Sequence, residues 1–293
     1  MPATAIAPRP TREAPAPMLL EIEDLTIRFG RQEVLRDITL SIPEGQTLVI
    51  LGESGCGKTV LLKTMIGLIR PALGDVRFDG QSLPGMSDRA LATLRTRYGF
   101  VFQHAALFDS HTIADNIAFP LREHTRIPAA EIAAIVESLV DEVGLPRSAL
   151  RKKPMELSGG MRKRAGLARA LALDPGLILY DEPTTGLDPI MTDIINELIL
   201  RVRERPQVTS VVVTHDMRTA RKVADRIIML YPAFRLRPGE SQIVFDGTPD
   251  ELDHSRDPRV RQFVEGRAGS RLTELQEEQA RDGEDDEPSE ETA

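Results

Sequence analysis

The sequence predicts an α/β fold in which helices cover both faces of a mostly parallel β-sheet. Three observations indicate this class. Apolar strand-like runs alternate with helical runs over the second half of the chain, which is the pattern of a parallel sheet. Before about residue 105 the chain holds mainly strand signals. Between about residues 105 and 158 only helical signals occur, which indicates a helical subdomain inserted into the α/β core.

The first elements in the chain are strands. Residues 20–29 nearly alternate between apolar and polar positions, as the two faces of a strand do. Further short apolar runs predict strands at residues 34–42, 46–51, 75–79 and 98–102.

The later elements are helices and strands in turn. Inside the helical block, Pro128 marks the start of one helix and Gly144 its end. The remaining runs predict helices at 160–173, at 190–204 and from Asp216, and strands at 177–180, 208–214, 226–230 and 242–245.

Length and composition are those of an ordinary globular protein. With 293 residues the chain can form one large domain or two small ones, and 41% of its residues are hydrophobic and 28% charged. It has no apolar run near the ~20 residues that span a bilayer, and its first residues lack the apolar region of a signal peptide. The single cysteine, Cys56, excludes an internal disulfide, so we expect a cytosolic protein.

Both ends of the chain differ from its middle. Residues 1–17 hold five prolines and predict a disordered leader, and the ordered domain is expected over residues 18–266. The remaining residues, 267–293, predict a disordered acidic tail. Ten acids and one base give residues 274–293 a charge of −9. Because the whole chain carries −8, the rest is close to neutral, and we expect no nucleic-acid partner.

Residues 52–59, GESGCGKT, fit the phosphate-binding loop G-x-x-x-x-G-K-[ST]. The strand run before them and a helix-spaced apolar run after them give the expected context. Glycines let successive N–H groups turn towards phosphate oxygens, and the helix dipole favours the negative charge. Lys58 would reach the β- and γ-phosphates and Thr59 would bind Mg²⁺. The predicted nucleotide contacts are Gly52, Glu53, Ser54, Gly55, Cys56, Gly57, Lys58, Thr59 and Val60.

Two adjacent acids end the apolar run at residues 177–180. In a parallel sheet this strand end lies beside the phosphate loop. Asp181 is therefore a candidate Mg²⁺ ligand, and Glu182 is a candidate for polarising the attacking water. Two acids at a strand end are also common as merely solvated residues, and the phosphate loop favours the functional interpretation.

Residues 157–161, LSGGM, provide a second glycine-rich helix start. Ser158, Gly159 and Gly160 can form an anion site there. With these motifs the chain, over about residues 18–265, resembles the nucleotide-binding subunits of ATP-binding cassette (ABC) transporters. The resemblance implies a P-loop NTPase fold with a RecA-like core and an N-terminal antiparallel β-subdomain. It also implies hydrolysis of ATP to ADP and phosphate, with Mg²⁺, in a head-to-tail dimer.

The resemblance also assigns the remaining site residues. In such a dimer the signature at Ser158 faces the γ-phosphate held by the other copy. Gln103 matches the glutamine that contacts Mg²⁺ and water, and His215 the histidine that contacts the γ-phosphate. Asp188 matches the aspartate that crosses the dimer interface, and Phe29 the aromatic residue that stacks on adenine. Met161 stands where the family usually has Gln.

Three short sequence segments make the resemblance more specific. PLREHT at 120–125, LSGGMRKR at 157–164 and DPRVRQF at 257–263 are similar to the ATPases of Mla-type systems, which work with MCE-domain proteins on outer-membrane lipid asymmetry. This implies a phospholipid cargo, an integral-membrane permease, an MCE-domain protein and a small accessory subunit. It places the chain on the cytoplasmic face of the inner membrane, bound through the permease.

Three other functions remain open at this point. One is an ABC importer for amino acids or other small polar solutes. Another is a soluble cassette protein acting on ribosomes or DNA, although such proteins commonly carry two cassettes. The last is a scaffold that no longer hydrolyses ATP, although every catalytic position is filled.

The motifs and the resemblance assign no role to two features of the chain. Cys56 lies beside Lys58 and a helix N-terminus, so its pKa is expected to be lowered and alkylation to inactivate the protein unless ATP protects it. A permissive position is the alternative. Residues 231–240 are longer than a tight turn between strands and predict a surface hairpin or a partner contact.

Overall fold

A computed structural model describes residues 17–205 and 208–267. Apart from Pro17 and Arg267, the predicted leader and acidic tail lie outside the described residues. Among the described residues no helix is both long and apolar enough to cross a membrane.

Two β-sheets form the frame of the molecule, and the α/β prediction is confirmed. The smaller sheet is antiparallel, with strand order β2-β1-β4-β5. Its strands are β1 (Met18–Phe29), β2 (Gln32–Pro43), β4 (Leu73–Phe78) and β5 (Gln81–Ser82).

The larger sheet has the order β10-β9-β3-β8-β7-β6, and all its neighbouring strands are parallel except the edge pair of β9 and β10. Its strands are β3 (Thr47–Gly52), β6 (Tyr98–Val101), β7 (Leu177–Asp181), β8 (Thr209–Val213), β9 (Arg226–Leu230) and β10 (Ile243–Gly247).

Nine α-helices among the described residues surround these sheets. The helices at Ile113–His124 and Ala129–Glu142 lie in the block at about 105–158 where the sequence predicts helices, whereas the helix at Gly159–Leu171 follows that block. The helices are α1 (Lys58–Met65), α2 (Asp88–Arg95), α3 (Ile113–His124), α4 (Ala129–Glu142), α5 (Gly159–Leu171), α6 (Pro189–Arg203), α7 (Met217–Val223), α8 (Pro249–Asp253) and α9 (Pro258–Val264).

The central strand β3 shows why the parallel sheet forms here. All six of its residues are buried, as expected for a strand covered on both faces. Val49 and Leu51 pack into the core that includes the helical block, whereas Leu48 and Ile50 pack into the core under the antiparallel sheet. Because alternate side chains point to opposite faces, one strand joins the two hydrophobic cores.

The carboxyl ends of the parallel strands lie at one edge of the larger sheet. Gly52 ends β3 and Asp181 ends β7, and their strands are separated only by β8. His215 follows β8 and Gln103 follows β6. The topology thus brings four chain segments that are distant in sequence to the edge where open α/β sheets bind ligands.

Candidate functional site

The phosphate loop runs from the end of β3 into the start of α1. Gly55 and Gly57 have φ angles of +82° and +100°, which residues with a Cβ rarely adopt. Lys58 begins the helix and is buried, and its Nζ donates 2.8 Å hydrogen bonds to the carbonyls of Gly52 and Glu53. The loop therefore curves around its own ammonium group, with the N-terminus of α1 directed at the space in front of it.

Oxygen donors for a metal ion lie directly behind the loop. The Thr59 hydroxyl donates a 2.9 Å hydrogen bond to Oδ1 of Asp181. Burial raises the pKa of the Asp181 carboxyl, and the Thr59 hydrogen bond opposes this. No cluster of three or more His, Cys, Asp or Glu within residues 17–205 and 208–267 could hold a metal alone. The donors fit Mg²⁺, which is commonly bound by one or two carboxylates together with substrate phosphates and waters.

Glu182 is held at both its main chain and its side chain. Its φ of +49° lies in the left-handed region, which is strained for glutamate. Oε2 accepts a 3.0 Å hydrogen bond from the Thr185 hydroxyl and lies 2.9 Å from Nδ1 of His215. The Glu182 carbonyl accepts a 3.3 Å hydrogen bond from Nζ of Lys163 on α5. Burial lowers the pKa of Lys163 to about 8.

One open cleft of about 660 Å³ collects most of the predicted site. All four predicted catalytic residues, which are Lys58, Gln103, Glu182 and His215, line it. Val34 and Phe263 also line the cleft, and the sequence analysis did not identify them. Its other lining residues are Glu53, Ser54, Gly55, Gly57, Thr59 and Val60.

The signature and its neighbours do not line this cleft. Ser158 caps α5, accepting a 3.3 Å hydrogen bond from the N–H of Met161, and it is exposed together with Gly159. Gly160 is buried against Met191. Asp188 is exposed and caps α6.

Phe29 ends β1 with half of its side chain exposed. The structure thus brings the loop, the acids and His215 together, whereas Ser158 and Gly159 of the signature, Asp188 and Phe29 are exposed.

Comparison with known proteins supports the same reading of the motifs. The family model described as ABC transporter matches residues 35–185. A protein from Haemophilus influenzae named intermembrane phospholipid transport system ATP-binding protein MlaF is 42% identical over 248 residues, which are 85% of this chain and 90% of that protein. The chain belongs to the ABC transporter family. It is an ATPase of that family, close to the Mla group.

Two further relatives extend the comparison of this ABC subunit. A Mycobacterium leprae protein named probable ribonucleotide transport ATP-binding protein mkl is 44% identical over 253 residues, covering 86% of this chain and 70% of that protein. A dimeric post-hydrolysis structure of the ATP-binding cassette MJ0796, bound to ADP and Pi, is 31% identical with a TM-score of 0.70. That match covers 79% of this chain and 99% of the other.

The prediction that the pKa of Cys56 is lowered is wrong for this ABC subunit. Only 1% of Cys56 is exposed, and burial raises the pKa of its thiol, outweighing the nearby charge of Lys58. The thiol packs against the loop's first residue, since a Cβ added at Gly52 would lie 2.6 Å from its Sγ. Sequence proximity to a lysine suggested activation, but tertiary burial decides the result.

We expect Cys56 to react slowly with iodoacetamide in the folded protein and rapidly in guanidinium chloride. Thiolate formation is suppressed and the sulfur is inaccessible, so labelling should be at least about tenfold slower than in the unfolded chain. Mass spectrometry of the labelled protein over time measures both rates. Equal rates in the two conditions would contradict the buried position.

Residues 231–240 of this ABC subunit connect the antiparallel strands β9 and β10, so the predicted hairpin is present, but Ala233 and Leu236 are buried and the segment is not confined to the surface. A short 3₁₀ turn, Ala233–Arg235, turns back onto the phosphate loop, where Arg235 pairs with Glu53 at 3.0 Å. The sequence signals were too local to reveal this contact, because the partners lie in different elements.

Proposed function

We propose that this chain is the energy-coupling ATPase of a phospholipid transporter, acting as a head-to-tail pair on the cytoplasmic face of the inner membrane. The observation that carries the proposal is the division of the motifs. Lys58, Glu182 and His215 line one cleft, whereas Ser158 and Gly159 of the signature are exposed outside it. A second copy would supply the signature to this cleft and complete the γ-phosphate site.

The cleft residues then have separate roles when water attacks the γ-phosphate. The loop N–H groups and Lys58 stabilise the phosphate charge. Glu182 orients and polarises the water, and its contacts with Thr185 and His215 fix its side chain. Thr59, Gln103 and Asp181 would hold Mg²⁺, which would supply positive charge against the β- and γ-phosphates.

The residues outside the cleft would make the remaining nucleotide and interface contacts in the proposed dimer. Phe29 would stack on adenine, and its half-exposed ring leaves a face accessible. Ser158, Gly159 and Gly160 would bind the γ-phosphate of the opposite copy through the N-terminus of α5. Asp188 would cross the interface. MJ0796, a similar cassette, is described as dimeric in two solved structures, which supports the paired arrangement.

An apolar groove supports a membrane partner. Its volume is about 320 Å³, and it lies beside the chain that follows Gln103. Arg169 lines it and donates hydrogen bonds of 2.8 and 2.7 Å to the carbonyls of Ala105 and Ala106, so the groove wall is tied to the catalytic segment. The lining is largely aromatic, with Tyr98, Phe100, Phe102, Phe108 and Phe119. We assign the groove as the surface of this chain that binds the permease.

The similarity to MlaF supports the phospholipid cargo. It extends over 85% of this chain and 90% of that protein, whereas 70% of the mkl protein is covered. The assignment to an amino-acid importer is not favoured by these relatives. An MCE-domain protein and a small accessory subunit belong to the same proposal.

Co-purification from detergent-solubilised membranes tests the proposal. The wild-type chain should bring down a permease, an MCE-domain protein and phospholipid, identified by mass spectrometry. Phe119→Asp, which places a charge in the apolar groove, should reduce permease recovery at least about tenfold. Leu73→Asp, at another exposed apolar position, is the matched control. Recovery of a solute permease without an MCE-domain protein would contradict the lipid assignment.

A further inference from the structure

An ion pair connects the 231–240 segment to the phosphate loop. Nη1 of Arg235 lies 3.0 and 3.3 Å from the two carboxylate oxygens of Glu53 and donates hydrogen bonds to both. The Arg235 side chain is 10% exposed and the Glu53 side chain 28%. A pair this sheltered from water interacts more strongly than a typical surface ion pair.

Two aromatic rings hold the Arg235 guanidinium in place. Its central carbon lies 5.2 Å from the ring centre of Phe234 and 5.9 Å from that of Tyr231. A cation over such ring faces is attracted by their quadrupoles. The guanidinium is therefore fixed in position by its own segment.

Gln242, which lies just after this segment, contacts the second half of the loop. The Tyr231 N–H donates a 2.9 Å hydrogen bond to the Gln242 carbonyl, which closes the segment at its base. Gln242 is fully buried, and its Nε2 donates 3.1 Å hydrogen bonds to the carbonyls of Cys56 and Val34. The loop is thus held at Glu53 by Arg235 and at Cys56 by Gln242.

Glu53 carries a negative charge close to the place where phosphates are to bind. It lines the cleft that is to receive a polyphosphate, and its carbonyl accepts a hydrogen bond from Lys58. An unpaired negative charge there would repel the phosphates. Arg235 neutralises that charge and fixes the residue whose carbonyl orients Lys58.

We propose that Arg235 is a positioning residue of the ATPase site, which acts through Glu53 to set the affinity of the phosphate loop for MgATP. The proposal rests on the assignment of residues 52–59 as that loop. It gives the 231–240 segment a role within its own chain. Arg235 affects binding of the nucleotide more than the chemical step, because it contacts Glu53 of the phosphate loop and does not itself line the cleft that holds Glu182.

The test measures MgATP binding by calorimetry in a Glu182→Gln background, so that hydrolysis does not interfere. Arg235→Ala should weaken binding about tenfold, since it removes the cation that faces the Glu53 carboxylate beside the phosphates. Glu53→Gln is measured as the reference for the double variant. The double variant Glu53→Gln/Arg235→Ala should bind nearly as tightly as Glu53→Gln, because the carboxylate through which Arg235 acts is absent from both. Arg235→Lys, which keeps the charge, should restore part of the affinity.

Turnover in the otherwise wild-type chain provides the second readout. Arg235→Ala should raise the KM for ATP about tenfold and change kcat less than about threefold. Arg237→Ala removes a charge from an exposed position of the same segment and should match wild type.

Lys58→Ala tests the loop assignment itself, since normal binding in that variant would overturn the proposed function. Additive losses in the double variant, or unchanged binding in Arg235→Ala, would overturn the role of Arg235 alone.

Discussion

Replacing Glu182 with Gln is expected to abolish ATP turnover while leaving ATP binding intact. The amide keeps the size of the side chain and can still accept the hydrogen bond from Thr185, but it lacks the charge that polarises water. Loss of a general base typically costs about 10²–10⁴-fold in rate. Phosphate release should therefore fall at least about 100-fold, whereas the Kd for MgATP should stay within about threefold of wild type.

The control is Glu204→Gln, at an exposed glutamate outside the cleft, which should hydrolyse ATP normally. Circular dichroism and thermal melting establish that both variants are folded. Near-normal turnover in Glu182→Gln would mean that another group activates the water, and would remove Glu182 from its assigned role.

Gly52→Ala should abolish ATP binding without unfolding the protein. A Cβ at this position would lie 2.6 Å from the Leu230 carbonyl oxygen and 2.6 Å from Sγ of Cys56, and φ here is +153°. Neither neighbour can easily move, because Gly52 and Leu230 face each other in the parallel pairing of β3 with β9. The loop must shift instead, and each N–H hydrogen bond to a charged phosphate that is lost costs about 1.5–3 kcal/mol, so losing two weakens MgATP binding at least about 100-fold.

Gly55→Ala is the comparison for this substitution. Its φ of +82° also disfavours alanine, but an added Cβ would meet nothing within 4 Å. We therefore expect strain of about 1–2 kcal/mol without a clash, and a smaller loss of ATP affinity. Calorimetric titration with MgATP measures both variants. If Gly52→Ala binds as tightly as Gly55→Ala, the close packing of the loop's first residue does not control binding.

Short motifs made the site largely predictable. The loop at 52–59, the acids at 181–182 and the signature each encode a local conformation that needs only neighbouring residues, namely glycines, a strand end or a helix cap. Gln103 and His215 were assigned from the resemblance to ABC subunits, and parallel-sheet topology explains why these two strand ends lie near the loop. The strand and helix pattern after residue 160 gave the α/β class for the same reason.

Contacts set by tertiary packing could not be predicted in this way. Lys163 lies within a helix whose sequence gives no sign that its ammonium reaches the Glu182 carbonyl. Arg235 meets Glu53 across 182 positions of sequence. Cys56 is buried by packing that its charged and glycine-rich neighbours do not reveal. The helix α2 was missed as well, although Ser87 caps it, because it is a short, largely exposed helix.

Helix α5 contacts the chemistry at two places. Its exposed first turn carries Ser158, and its second turn carries Lys163, which holds the carbonyl of Glu182 in the same chain. In the proposed pair, one rigid helix would thus touch the phosphate of the opposite copy and the water-activating residue of its own. A mixed pair with one altered α5 would then be impaired at both nucleotides, so the two sites could not be tuned independently of each other.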